Sequence, residues 1–328
     1  MDDRICVICN EGSGRNSREA HAVHDAMEVL GDRATLRAAK GPEIEDAARR
    51  ALSEGFGTLV AAGGDGTIMT VAGAVGRHRS ETGAETRFGV LPLGTFNYFS
   101  RGLGIPQDPK AAARVLLDGH SRPASLGEVN GRLFLNNVSI GIYPAILRAR
   151  EDVYRRWGRR RIAAHWSVAK TFVKFQKPLH LTMTANGRTW KAKTPLLFAA
   201  RSAYQLESFG LAGVDCVAGG QFAVFVAPDA GRAGLFREAW RLTRGSMQEG
   251  RDFDLTCTSE MQVASRSRHL TVACDGEKFR MRTPLRLAIR RDALEVLAPE
   301  GAQVNPDGSI PAAEADATAE AKLKEAEA

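Results

Sequence analysis

The sequence predicts an α/β protein: an N-terminal Rossmann-like, three-layer domain on a parallel sheet, followed by a C-terminal, mostly antiparallel β-sandwich. Three observations predict it. Short apolar runs alternate with helical patterns over the first third of the chain. The second half changes to β-branched and aromatic runs punctuated by Asn-Gly and Asp-Gly dipeptides. At 328 residues the chain also exceeds what one domain of about 100 to 200 residues holds.

In order, Ile5 to Cys9 is an apolar strand, followed by the turn-rich Asn10-Glu11-Gly12-Ser13-Gly14 and a helical pattern from near Ser17. A second helix opens at Pro42, acceptable at a first helical position, and stops at Gly55. Thr58 to Ala62 reads as a buried parallel strand, with a glycine loop directly after it and a helical stretch to about Arg77. Phe88 to Leu91 is the next strand, and a helix capped by Asp108, with Pro109 following, ends at Gly119. From about Ser125 hairpins are expected at Asn130-Gly131, Asn186-Gly187 and Asp275-Gly276, where both turn residues need positive φ. These signals place an α/β domain at 1–124, a sandwich at 125–300 with a helical insertion near 148–175, and a tail rich in Ala, Glu and Pro at 301–328.

No apolar stretch approaches the roughly 18 residues of a spanning helix, and the acidic start lacks the basic flank of a secretion signal. A cytoplasmic protein is expected, with peripheral membrane association allowed. Five scattered cysteines argue against a disulfide framework. Cys6 and Cys9 sit three apart inside a strand, hence on opposite faces, and no second pair completes a zinc site. Net charge is +7, but residues 311–328 hold five carboxylates against two lysines, so the rest carries +10. A basic body suits an anionic partner, phosphorylated or a lipid surface. The segment from Arg148 to Phe175 adds nine basic residues, among them Arg155, Arg156, Arg159, Arg160 and Arg161, with Trp157, Trp166 and Phe172 between. It reads as a helix approaching anionic headgroups or as a solvated helix packed on the sandwich. Nucleic acid is not expected as a partner, because no recognised module or stacking platform is present.

The sharpest local signal is Gly63-Gly64-Asp65-Gly66-Thr67 between a parallel strand and a helix. Glycines let the backbone approach a polyphosphate, the helix start offers free N–H groups, and Thr67 adds a hydroxyl. Asp65 would repel phosphate unless magnesium or a substrate hydroxyl lay between, which gives it a catalytic or metal-orienting role. Two further loops, Asn10 to Gly14 with Arg15, and Pro92-Leu93-Gly94-Thr95-Phe96-Asn97, follow other parallel strands and so belong at the same sheet edge. Arg15 and Arg101 are candidate phosphate ligands.

These residues resemble the diacylglycerol kinase catalytic-domain family, which includes sphingosine kinases and bacterial lipid kinases. The resemblance rests on Gly63 to Thr67, on Leu91 to Asn97 with Arg101 and Gly104-Ile105-Pro106, and on Asn10 with Ser13-Gly14. Phe134-Leu135-Asn136-Asn137-Val138-Ser139-Ile140-Gly141 and Asp275-Gly276-Glu277 extend it over roughly residues 4 to 300. It implies ATP as phosphate donor, Mg2+, and transfer of the γ-phosphoryl group to a hydroxyl of diacylglycerol or a related membrane lipid. In that picture Asp65 is catalytic and binds metal, and Glu277 is the general base. Asn10, Ser13, Gly14, Arg15, Gly63, Gly64, Gly66, Thr67, Gly94, Thr95 and Asn97 hold the nucleotide. Against the family pattern, Glu11 stands where proline is usual, Met69-Thr70 replace Asn-Glu, and Tyr98 replaces a frequent Asp. Ala218-Gly219-Gly220 stands where many bacterial members carry an Asp-Asp-Gly that holds a structural magnesium, with Asp215 nearby. Kinases of soluble acceptors share the Gly-Gly-Asp-Gly loop. A nucleotide- or lipid-binding sensor that has lost catalysis is the alternative, and oligomeric state, a homodimer included, stays open.

Overall fold

A computed structural model describes residues 4–11, 17–141, 178–229, 231, 237, 241, 247–300 and 302. Ser13, Gly14 and Arg15, the 148–175 insertion and nearly all of the 301–328 tail lie outside the described residues. The chain divides into two compact units. One comprises Met1–Leu126, Ser202–Tyr204 and Arg290–Ala328, the other Gly127–Arg201 and Gln205–Ile289.

In the first unit β1 (Ile5–Asn10), α1 (Ser17–Leu30), β2 (Ala34–Ala39), α2 (Glu43–Ser53), β3 (Thr58–Gly63), α3 (Asp65–Thr82), β4 (Arg87–Pro92), α4 (Tyr98–Gly102) and α5 (Pro109–Asp118) follow in turn. The strands pair in the order β2, β1, β3, β4, all parallel. The centre of the sheet is apolar on both faces: every residue of β3 is buried, and β4 is buried from Phe88 onward. Helix α1 packs on α5 and α2 on α3, giving the three predicted layers. Pro42 stands at the N-cap of α2, and Asp108 caps α5 by accepting the Ala111 N–H at 2.8 Å. Helix α3 runs five residues beyond the expected Arg77 and ends on Gly83 at φ 72°.

Strand β2 escaped the periodicity. It is a half-exposed edge strand, Ala-Thr-Leu-Arg-Ala-Ala, whose residues other than Thr35 favour helices and whose strand state comes from pairing with β1 alone.

The second unit takes the end of β5 (His120–Val129), then β6 (Arg132–Phe134), β7 (Asn137–Gly141), β8 (Leu179–Ala185), β9 (Arg188–Thr194), β10 (Leu196–Ala200), α6 (Ala203–Ser208) from Gln205 on, α7 (Val214–Ala218), β11 (Phe222–Val226), β12 (Asp254–Thr258), β13 (Glu260–Ser265), β14 (His269–Cys274), β15 (Glu277–Arg282) and the start of β16 (Leu285–Ala298). One sheet runs β12, β11, β10, β7, β14, β15, all antiparallel. In the other, β13 pairs with β16 and β8, and β8 with β9, also antiparallel. Inner faces of both sheets share one core, including Phe134, Ile140, Met183, Phe222, Val263, Val272 and Leu285, so the unit is the predicted sandwich. All three hairpin dipeptides adopt positive φ at both residues: Asn130 and Gly131, Asn186 and Gly187, Asp275 and Gly276.

One expectation about cysteine is corrected. Cys216 of α7 and Cys257 of β12 form a disulfide, whereas Cys6, Cys9 and Cys274 are free thiols. The pair is 41 residues apart and meets because α7 packs on β11, the neighbour of β12. No local spacing announces such a pairing.

The last described strand, β16, changes company along its length. Its first part pairs with β13 in the second unit, and Glu295 and Val296 pair in parallel with Arg87 and Phe88 of β4 in the first.

Candidate functional site

The carboxyl ends of β1, β3 and β4 converge at the start of α3. Gly63 ends β3 wholly buried, and a Cβ on it would lie 2.6 Å from the Thr67 hydroxyl. Gly64 is the N-cap of α3, and Leu93 N–H from the β4 loop donates to the Gly63 carbonyl at 3.0 Å. A Cβ on Gly94 would sit 2.6 Å from the Gly64 Cα and 2.6 Å from Asn97 Oδ1, so the two glycine loops touch backbone to backbone. From the β1 side the Asn10 amide donates to Thr67 Oγ1 at 3.4 Å. The predicted residues Asn10, Gly63, Gly64, Asp65, Gly66, Thr67, Gly94 and Asn97 are therefore one cluster, with Thr95 exposed on its outer side. At its floor are the first-turn N–H groups of an 18-residue helix, which have no intrahelical partners and carry the positive end of its dipole. Asp65 occupies that first turn, half-buried.

Asn97 is held with unusual care. At φ 50° and 2% exposure, it donates its side-chain amide to Gly94 O at 2.9 Å and to Gln107 Oε1 at 2.8 Å. Its Oδ1 is buried with no hydrogen-bond partner among the described residues. A buried acceptor left open costs roughly 1–3 kcal/mol unless a ligand or water completes it. Gln107, ten residues downstream, was not read from sequence; no spacing rule joins it to Asn97. Arg101, a candidate phosphate ligand, turns its Nε onto the Phe96 carbonyl at 3.1 Å and so braces the loop. Near the β1 end, burial raises the pKa of Glu19 above the usual carboxylate range. Burial, with the charges of Glu19 and Glu11, raises the Cys9 thiol also.

In the second unit the Asp275-Gly276 turn is more than a hairpin. The Asp275 carboxylate accepts three backbone N–H groups, from Leu135 at 2.7 Å, Asn136 at 2.8 Å and Asn137 at 3.0 Å. The turn is thereby tied to the Phe134-Leu135-Asn136-Asn137 segment, and Glu277 follows at the first position of β15, exposed. Beside it, Asn137 donates to Gln205 Oε1 at 3.0 Å in a buried contact, and Arg201 N–H donates to Asn136 O at 2.7 Å. Asp215 lies exposed in the first turn of α7; its main-chain carbonyl accepts from Gly219 at 2.9 Å. Among the described residues the single cluster of three close metal-ligand side chains is His24, Asp25 and Glu28 on α1, where Lys110 pairs with both acids.

A parallel sheet whose edge loops meet in a glycine-walled cradle at a long helix's N-terminus defines a class of phosphate-holding α/β domain. Residues 4–129 match the family model described as the diacylglycerol kinase catalytic domain, so the resemblance carried by the glycine motifs is shown over that span. The protein named "Probable lipid kinase YegS-like" from Pseudomonas aeruginosa PAO1 is 42% identical over 144 residues, 43% of this chain and 45% of that protein. A diacylglycerol kinase from Staphylococcus aureus strain JH9 is 36% identical over 141 residues, 42% of this chain and 43% of its own length. The match thus spans less than half the length of these relatives. A solved structure of a diacylglycerol kinase from Bacillus anthracis str. Sterne aligns with 91% of this chain and 97% of its own at TM-score 0.65 and 16% identity, a likeness of fold.

Proposed function

We propose that the protein is an ATP-dependent lipid kinase, moving the γ-phosphoryl group to a hydroxyl of diacylglycerol or a related membrane lipid. The observation that carries this reading is the backbone contact of Gly64 with Gly94 beside the start of α3, with Asn10 bound to Thr67. Side chains are excluded there, leaving amides to face a polyphosphate, and the open Asn97 Oδ1 offers an acceptor for a nucleotide donor group. Gly63, Gly64, Gly66, Thr67, Gly94, Thr95, Asn97 and Asn10 would hold the nucleotide, with Ser13, Gly14 and Arg15 added from the same loop. Asp65 would hold magnesium, whose charge offsets that building on the phosphoryl oxygens.

In the transfer step the lipid hydroxyl oxygen forms a bond to the γ-phosphorus. The bond from that phosphorus to the β,γ-bridging oxygen breaks, ADP leaves, and the hydroxyl proton passes to the Glu277 carboxylate. Asp275 acts through position: its three N–H bonds fix the turn from which Glu277 projects. The proposed domain roles follow, nucleotide on the α/β unit and lipid on the sandwich.

The test is labelled ATP with detergent-dispersed diacylglycerol and mixed extracted lipids, with mass identification of any product. Label should appear in the lipid phase. Asp65→Ala and Glu277→Gln should each lower turnover by about 100-fold or more while leaving the melting temperature unchanged, as expected for lost proton or charge handling. Nucleotide binding without transfer at saturating magnesium would assign the chain to the sensor reading, and a near-normal Glu277→Gln would remove the base assignment.

A further inference from the structure

The β14–β15 ribbon, at the edge of the sandwich, is two-faced. Inward it presents Leu270, Val272 and Cys274 of β14 with Phe279 and Met281 of β15, all in or against the core. Outward it presents Lys278, Arg280 and Arg282, each exposed, opposite Ala273, Thr271 and His269. Residues two apart on a strand are about 7 Å apart, so the three cations form a straight row about 13 Å long. The loop before β14 adds exposed Arg266 and Arg268, and the Arg268 carbonyl accepts the Thr283 N–H at 3.0 Å, placing that loop beside the end of the row. No acidic residue shares the outward positions of the ribbon. Among the described residues none of these five basic side chains has a hydrogen-bond or ion-pair partner.

Edge strands often carry charge to block pairing with another sheet, but that does not account for this row. The opposite edge of the same sheet, β12, has Asp254 as its charged residue. In β9, an edge of the other sheet, Lys193 is neutralised by Asp229 at 2.6 Å. Arg188 and Lys191 of β9 also stand exposed without a partner among the described residues, but of these edges β15 alone sets three such cations in one row.

We propose that the outward face of the β14–β15 ribbon docks on an anionic lipid surface. A straight row of cations with short polar neighbours matches a plane of headgroups, each Lys or Arg gaining from the surface potential within a Debye length. Nucleic acid fits less well, since no aromatic ring stands on that face to stack a base; Phe279 is turned inward, under the Arg132 guanidinium at 3.7 Å. The proposal rests on the lipid-acceptor reading and deepens it: the strand that begins at Glu277 is itself the strand that meets the membrane.

The experiment uses the full chain and vesicles in which about a third of the lipid is phosphatidylglycerol, with pure phosphatidylcholine vesicles as reference. The wild type should sediment with anionic vesicles and be released by salt. Combining Lys278→Thr, Arg280→Thr and Arg282→Thr, with melting temperature unchanged, should weaken partitioning by about 100-fold, roughly five-fold for each cation. Combining Arg188→Thr and Lys191→Thr on β9 should change it by less than about five-fold. Wild type that ignores anionic vesicles, a triple variant that partitions as wild type does, or a β9 variant that loses as much as the triple would each overturn the proposal. So would an oligonucleotide whose binding the triple variant loses while keeping its vesicle binding. Turnover on detergent-dispersed diacylglycerol, which needs no docking, should be equal in wild type and triple variant. If neither phosphorylates lipid yet vesicle binding still depends on the row, the kinase reading fails and the docking face stands.

Discussion

Gly94 has no room for a side chain. Its Cβ would strike the Gly64 backbone and the Asn97 amide oxygen, each at 2.6 Å, and neither can swing aside. Gly94→Ala should therefore part the two glycine loops, costing about 1–3 kcal/mol of stability and raising the KM for ATP more than it lowers kcat. Calorimetry with an ATP titration of turnover checks both. Asp275 is the comparable residue in the sandwich. Hydrogen bonds to a charged acceptor contribute about 1.5–3 kcal/mol, so Asp275→Asn, which retains one acceptor oxygen, should destabilise by roughly 2–4 kcal/mol in denaturant unfolding. It should also lower turnover through misplacement of Glu277. Glu277→Gln, by contrast, should spare stability. Asp252 supplies a pH dependence. Burial pushes its pKa up, but Arg251, the Gln248 N–H and Arg241 outweigh this and hold it at about 2 against an ordinary 3.8. A depressed folded pKa means the contribution is complete above pH 4 and disappears as pH falls through 2. Asp252→Asn should remove that acid-dependent part, up to about 2 kcal/mol, from a stability profile between pH 5 and pH 2.

At the scale of elements, sequence legibility followed locality. The caps at Pro42, Asp108 and Gly119, the buried runs of β3 and β4, and the three positive-φ hairpin turns depend on residues within a few positions of each other, and all were readable. So was the arrival of Gly63 and Gly94 at one sheet edge, because parallel strands fix which end their loops leave from. Contacts made by distant chain were not readable. Strand β2 is a strand because β1 lies beside it, Gln107 matters because α4 folds back onto it, and Cys216 meets Cys257 across β11. The Asp275 carboxylate binds amides 138 to 140 residues upstream, a contact invisible in a dipeptide that already explains itself as a turn. The bracing by Arg101 was hidden for a related reason: its Nε donates to the Phe96 carbonyl, which only the folded loop brings within reach.

For the whole molecule, the first unit is assembled from both ends of the chain, with β16 adding Glu295 and Val296 beside β4. Arg79 and Ser121 both bind the Glu295 carboxylate, at 3.3 and 3.1 Å, so the junction is held by side chains as well as by the sheet. A chain stopped at residue 126 should leave the edge of β4 uncovered and aggregate, since an unpaired apolar strand templates association. Size-exclusion chromatography of that fragment, with and without a linked segment 290–300, gives the comparison; recovery of a monomer on adding the segment is the expected result.

The same return of the chain sets an order on biosynthesis. Although the parallel sheet is encoded first, its outermost partner leaves the ribosome only after the whole sandwich has been made. For most of translation the nascent protein therefore carries the β4 edge raw, and its window of exposure to chaperones lasts until β16 is released.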